Sequence, residues 1–493
     1  MEDRSEETGY ERLGGKKLSL VDVVAQSVGF MGPVFSAAFL IPLIVGVISA
    51  SGKGAGVAAP LSVLLAAVGV FALGWIVAQY AKRIHAAGSL YDYVSNGLGS
   101  TVGSASGWLY YSGTMVLDAG LGVLVGGYIH DTLDLEFHHP VMPVWAWSLL
   151  FAAMVFVVLS LGVQISTRVQ LTLALVSAVV VLVFFVKVIV DLGSANDVAR
   201  AFSPSSSDLG WSGILFGILY GVLIFVGFET AANLAEETGE PKREIPRAVL
   251  LSVGVVTVFY LIAAYAQVAG FGFDMATIGA TAGAPLFALG APTAAGGFGS
   301  VMIDRILELV VLLDILAVGV GAAVASTRGV FAMARDRRLP ASLATVSPRY
   351  GTPTGAIVLL TIVNLAFIAL NEFFTDVLAL PGFPHYFSVF AWASTFGGFA
   401  LVVVYLMMSI GALVGISREP NKGGVVIAAI IGIALTLGAI YGSFYKVQSP
   451  TLLAPWIAVA WLAVGLLVTL LVKGRTPASQ TLADLRSDRE VYP

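Results

Sequence analysis

The chain has no cysteine, five histidines and few charges: Asp, Glu, Lys and Arg make up 11% of its 493 residues. Each shortage excludes something. Without cysteine there is no disulfide scaffold, no Cys-ligated zinc and no Cys nucleophile. The histidines are scattered without ligand spacing, which argues against a metal role. A net charge of −4 supplies no basic surface for phosphate backbones, so nucleic acid is not an expected partner. Soluble domains carry about 25% charged residues. A chain with less than half of that cannot cover a water-facing surface, which excludes a soluble enzyme and a disordered chain. What is present is apolar: 58% of residues are hydrophobic and the mean hydropathy is +0.91. The class that fits is a polytopic all-α membrane protein, with the lipid bilayer as its first partner.

A spanning helix needs about 20 apolar residues. The apolar runs give twelve candidates, at about 20–50, 56–82, 102–129, 141–163, 166–191, 211–237, 246–270, 304–333, 354–371, 386–416, 424–444 and 451–472. The polar segments 1–19 and 473–493 read as tails, and the first shows no apolar core or cleavage site of a signal peptide. With the N-terminus inside, 21 of the 26 basic residues fall on the cytoplasmic side; only Lys53, Lys187, Arg200, Arg305 and Lys446 fall outside. That asymmetry predicts a multi-pass protein with both termini cytoplasmic. The Gly-, Ala- and Pro-rich stretch Gly272 to Ile303 is too apolar for a solvated loop and is expected to pack as a short helix over an outer opening. The segment Arg83 to Gly99 is amphipathic and too polar to span; it is expected along the inner interface, with a plain connecting loop as the alternative.

Two spans are interrupted. Span one carries Gly29, Phe30, Met31, Gly32, Pro33 and Val34 in mid-run. Proline removes a donor and clashes inside a helix, yet suits the first position of a new one. The pattern predicts an unwound stretch at Gly29–Gly32 and a second half-helix from Pro33. Its amides at Val34, Phe35 and Ser36 would be free near the membrane centre, a ready anion site; a packed proline kink is the alternative. Span six carries Phe225, Val226, Gly227 and the ionisable Glu229 in an apolar run. If spans one to ten are two five-helix repeats, 20–191 and 211–416, followed by two further helices in 424–472, the breaks occupy corresponding positions of inverted halves. That arrangement points to a transport site at the repeat interface.

The residues around these breaks resemble those of the amino acid–polyamine–organocation transporters. Gly227-Phe228-Glu229, Leu234 to Thr238 and Pro241 to Ala248 resemble the family's "GFE…AEE…NPKR.IPRA" signature. Phe331 to Asp336 with Leu339-Pro340 resembles its "ALARDG.LP", and Ala87 to Tyr93 its "GG.Y.Y" segment. Gly32-Pro33 departs from the glycine run that many members carry in span one. The resemblance implies a LeuT-like five-plus-five inverted-repeat fold with discontinuous helices one and six. It implies an amino acid or amine substrate, its carboxylate on the span-one half-helix amides and its amino group at carbonyls near Gly29 and Phe225. It implies alternating access across the cell membrane.

Coupling is the open part. Ser51-Gly52-Lys53-Gly54 lacks the earlier glycine of a Walker A loop, so no nucleotide is expected and the source is Na+, H+ or exchange, with no other cofactor. Proton-coupled relatives place a lysine in span five; alignment on Gly162 and Arg168 puts Ser177 there, and Lys187 further out reads as a snorkelling interfacial residue. Ser326 and Thr327 in span eight resemble the superfold's sodium site, oxygen ligands for a hard cation. The strong alternative is that these hydroxyls bond to their own helix carbonyls, as Ser and Thr in membrane helices usually do. Acids inside spans default to functional hypotheses. Glu229 is either a charge favoured at a helix start or a structural tie, Asp118 either a pocket residue for a cationic substrate or a buried hydrogen-bonding group, and Asp314 has no assigned role. Glu308 and Arg305, three apart, are expected to pair. No paired catalytic groups suggest an enzyme and no repeated pore loop suggests a channel; a polyamine exchanger or a non-transporting sensor of the same fold are the alternatives to amino acid transport.

Overall fold

In the computed structural model the described residues are 17–47, 54–281, 284–380, 383–416, 422–445, 447 and 449–472. The tails outside 17–19 and 472, Lys53 and Lys446 lie outside them. Among the described residues the chain is helical, and extended pairing is confined to isolated bridges, Leu18 with Thr238 and Pro292 with Gly299. In chain order the helices are α1 (Leu20–Met31), α2 (Pro33–Phe35), α3 (Ile41–Val45), α4 (Ala59–Ala81), α5 (Leu90–Leu98), α6 (Ser100–Phe137), α7 (Val144–Ser160), α8 (Val163–Leu192) and α9 (Val198–Ala201). They continue as α10 (Gly210–Leu223), α11 (Pro241–Ala269), α12 (Met275–Gly279), α13 (Pro285–Gly290), α14 (Val301–Arg335), α15 (Thr354–Phe373), α16 (His385–Gly415), α17 (Lys422–Phe444) and α18 (Leu453–Val472). Ten helical stretches among the described residues are long and apolar enough to cross a bilayer. The shorter apolar helices Val144–Ser160 and Gly210–Leu223 stand where the fourth and sixth spans are expected.

Local chemistry sets the two interruptions. Ser19 and Asp22 form a reciprocal capping box that starts α1, satisfying donors that a helix start leaves open. The unwinding expected over Gly29–Gly32 is confined to Gly32: α1 stays helical through Met31, Gly32 ends it in the left-handed region at φ 56, a conformation cheap only for glycine, and Pro33 opens α2. A π-helical turn, Ser36–Leu40, joins α2 to α3, just ahead of Pro42, whose missing N–H disturbs the regular ladder. In the sixth span, α10 stops at Leu223 and turns carry the chain to a five-residue 3₁₀ helix, Thr230–Leu234. The second half of this span was expected as part of a membrane helix over 211–237. It is 3₁₀ and turn instead, so Glu229 caps no α-helix.

Small residues let the helices approach. A Cβ on Gly113 would lie 2.8 Å from the Ala400 Cβ, and one on Gly120 2.5 Å from the Ala393 Cβ. These contacts press α6 against α16 at backbone distance, the packing that membrane helices use where lipid is as apolar as leucine. The segment from Gly272 to Ile303 folds as α12, α13 and a 3₁₀ turn, with Ile278, Leu286 and Leu289 buried, as its apolar composition predicts. The helix α5 differs from expectation. Leu90 to Ser95 are all buried, so α5 packs into the protein between α6 and α16 rather than floating on an interface. Tyr91 finds a partner inside, donating to Asp336 Oδ2 at 3.0 Å, whereas Asp92 Oδ2, Tyr93 Oη and Ser95 Oγ are buried without a hydrogen bond among the described residues.

Candidate functional site

The two breaks meet. A Cβ on Gly227, whose φ is 110, would lie 2.8 Å from the Phe30 ring. Ser27 Oγ donates to the Phe228 carbonyl at 2.8 Å and accepts the Ala231 N–H at 3.1 Å. On the other side Tyr260 Oη lies within hydrogen-bonding distance of the Met31 carbonyl at 3.0 Å, Ser36 Oγ at 3.0 Å and the Ile224 carbonyl at 2.6 Å. The two breaks thus pack together through Ser27, Phe30 and Met31 on one side and Ile224, Gly227, Phe228 and Ala231 on the other, and Gly29, Phe30, Met31, Gly32, Pro33, Val34, Phe225, Val226, Gly227 and Glu229 are all buried. Backbone groups freed by a broken helix must find partners away from water, and here tyrosine and serine hydroxyls provide them.

The half-helix amides are not free, contrary to expectation. Val34 and Phe35 both donate to Asp314 Oδ2, at 2.9 and 2.7 Å, while the Ser36 N–H bonds back to the Gly32 carbonyl at 2.8 Å. A carboxylate at a helix start is favoured by the aligned dipoles and by charge-assisted bonds. Asp314, left without a role by its sequence, therefore occupies the position that the resemblance assigns to a substrate carboxylate. Its other oxygen, Oδ1, is buried and takes no hydrogen bond among the described residues.

Glu229 is fully buried and sits between two hydroxyls: Tyr110 donates to Oε1 and Tyr405 to Oε2, each at 2.7 Å. Its carboxylate ties the sixth-span break to α6 and α16 rather than to a helix start. Asp118 is also fully buried; Asn364 of α15 donates to its Oδ2 at 2.8 Å, and its Oδ1 lies 3.6 Å from the place of a Cβ on Gly319. Ser177 donates to the Leu173 carbonyl of its own helix. The α8 side chain that meets the first break is Gln170, which donates to the Gln26 carbonyl at 3.2 Å and packs where a Cβ on Gly29 would stand. Ser326 and Thr327 both donate to the Ala323 carbonyl, at 3.2 and 2.7 Å, the own-helix bonding that was the alternative to a sodium site. Arg305 pairs with Glu136 of α6 rather than with Glu308, because the neighbouring helix brings a carboxylate closer than the next turn does. Lys187 pairs with Asp191 and donates to the Phe298 carbonyl at 2.8 Å.

One end of the molecule is bolted by buried ion pairs. Arg328 Nε donates to Glu237 at 2.7 Å, and Arg335 grips Glu236 through both terminal nitrogens at 2.9 and 2.7 Å. Glu236 also accepts the Ala87 N–H at 3.0 Å. These bonds join α14, the stretch after the sixth-span break and the segment before α5. Burial, then the neighbouring Asp336, pushes the Asp92 carboxyl on α5 above the usual range, with Arg335 opposing. Burial also raises Asp336, again against Arg335. A cavity of about 290 Å³ at the other end lies between α6 and α14, lined by Tyr128, Glu136, Arg305, Glu308 and Leu312 among others; none of the break residues lines it. No group of three or more His, Cys, Asp or Glu residues among the described residues could hold a metal ion.

Several of these residues carry a partial signal in the sequence. Asp314 is an acid in an apolar span, a strong hint of function with no clue to its partner. Tyr110, Tyr260 and Tyr405 look like ordinary core aromatics until the tertiary structure aims their hydroxyls.

Comparison with known proteins adds the following. The family described as amino acid permease matches residues 28–476. The branched-chain amino acid permease BcaP of Bacillus subtilis is 26% identical over 333 residues, covering 62% of this chain and 67% of that protein. An uncharacterized transporter of Mycobacterium tuberculosis is 31% identical over 69% of this chain and 70% of its own length. Among solved structures, a mutant of the Eremococcus coleocola manganese transporter superposes with a TM-score of 0.54 at 13% identity, over 96% of this chain and 98% of that one. At that identity the match establishes a shared fold and nothing more.

Proposed function

The chain belongs to the amino acid permease family, and from that premise we propose that it carries an amino acid or related amine across the cell membrane by alternating access, with both termini in the cytoplasm. The observation that carries the reading is the meeting of two broken helices in a buried region, with Phe30 against Gly227 and Ser27 bonded to Phe228 and Ala231. Interrupted helices meeting in this way are the arrangement that secondary transporters use for their substrate site. The branched-chain permease among its relatives supports an amino-group-bearing substrate. Residues Gly29 to Val34, Phe225 to Gly227 and Glu229 would line the site, and Asp118 a neighbouring wall.

The energy source would be Na+, H+ or exchange. The own-helix bonds of Ser326 and Thr327 and the two tyrosines on Glu229 favour neither ion over the other. Uptake of labelled amino acids and amines into proteoliposomes, with sodium or pH gradients imposed singly, tests the proposal. Saturable uptake with trans-stimulation is the expected result. Flux that never saturates would indicate a channel, and no flux with retained binding a sensor.

A further inference from the structure

The amides at the start of the second half of helix one are already bonded to a carboxylate of the chain itself. Asp314 Oδ2 accepts both Val34 and Phe35 N–H groups, at 2.9 and 2.7 Å. Asp314 is fully buried, and α14 is pressed against the break: a Cβ on Gly32 would lie 2.2 Å from Val318 Cγ2 and 3.4 Å from Asp314 Oδ2. Two carboxylates cannot share that pair of amides with both ionised. A ligand carboxylate would have to push Asp314 off, leaving it as an unpaired charge in a membrane-buried helix, which is strongly disfavoured.

The second oxygen shows what is missing. Asp314 Oδ1 is buried and takes no hydrogen bond among the described residues, and no basic side chain is bonded to Asp314 there. Pro33 carries no N–H to give the Gly29 carbonyl four residues back. A half-satisfied buried carboxylate accepts a cationic donor. We propose that Asp314 stands in for a ligand carboxylate, so that the ligand of this site is a cationic amine without an α-carboxylate, its ammonium meeting Asp314 Oδ1. This rests on the transport reading above and narrows its substrate class.

The test compares matched pairs on the purified full chain: lysine against cadaverine, ornithine against putrescine, histidine against histamine, and leucine against isoamylamine. Binding is measured in detergent and uptake in proteoliposomes. In at least one pair the amine should bind ten-fold or more tighter than its parent amino acid. Asp314→Asn should lose that amine by ten-fold or more, and Asp314→Ala, which frees the amides, should gain affinity for the amino acid. Equal or tighter binding of the amino acids, or unchanged amine affinity in a folded Asp314→Asn, overturns the inference while leaving transport intact. If neither member of any pair binds or moves, the transport reading falls as well. Should both variants fail to fold, the wild-type pairs decide alone.

Discussion

Glu229 lies between the hydroxyls of Tyr110 and Tyr405, both at 2.7 Å, with no exposure to solvent. Removing one hydroxyl leaves a buried carboxylate oxygen without its donor, a loss of about 1–3 kcal/mol. We therefore expect Tyr405→Phe to lower unfolding stability in detergent by that amount. Chemical denaturation checks it, and an unchanged midpoint would mean that the hydroxyl carries no weight. Asp92 offers a pH test outside the spans. Its folded-state carboxyl is raised by burial and by Asp336, so the folded chain holds a proton that the unfolded chain has released above about pH 4. Its contribution to stability thus falls as pH rises from there through the raised value. Asp92→Asn should raise the melting temperature by a few degrees at pH 8 and by less at pH 5. A gain that shrinks with rising pH would refute this assignment.

The breaks are legible at the scale of the element, but unequally. Gly32-Pro33 predicts an interruption from local chemistry, and α1 ends there with Gly32 at φ 56. Gly227 and Glu229 point to the sixth-span interruption, yet the chain beyond Leu223 forms turns and a short 3₁₀ helix, which propensity in an apolar run does not foretell. Gly227 combines φ 110 with a Cβ position 2.8 Å from Phe30. Gly227→Ala should therefore cost about 1–3 kcal/mol in backbone strain and weaken substrate binding, since Phe30 must shift. Equilibrium binding with a thermal-melt control reads both; wild-type affinity in a folded variant would separate this junction from the ligand. Helix α5 shows the opposite failure, where an amphipathic pattern predicts an interface and the helix is instead buried against α6 and α16, with Tyr91 bonded to Asp336.

For the whole molecule, the buried ion pairs Arg328–Glu237 and Arg335–Glu236 tie α14 to the stretch after the sixth-span break. Glu237→Gln strands a buried guanidinium, which typically costs about 3–5 kcal/mol, and should loosen that tie. The absence of cysteine gives a clean readout with a membrane-impermeant maleimide. A cysteine at Ser27 should be slow to label from the Arg-rich side in the otherwise native chain and several-fold faster with Glu237→Gln. In the same assay Arg349→Cys should label only from the cytoplasm and Arg200→Cys only from outside. Reversed labelling would overturn the orientation drawn from the 21-to-5 distribution of basic residues.

Composition and periodicity by themselves determined the class, the places of most apolar spans and the interruption at Gly32-Pro33. These follow from local quantities: transfer of apolar residues into lipid, and a proline that cannot continue a helix. What the half-helix amides bind was decided only by tertiary structure. Asp314 is 280 residues from Val34 and 279 from Phe35, and no periodicity couples positions that far apart. The same holds for Glu229 with its two tyrosines and for Gln170 against Gly29. Buried polar groups take whichever partner the packing brings within 3 Å, and packing is a property of the whole chain.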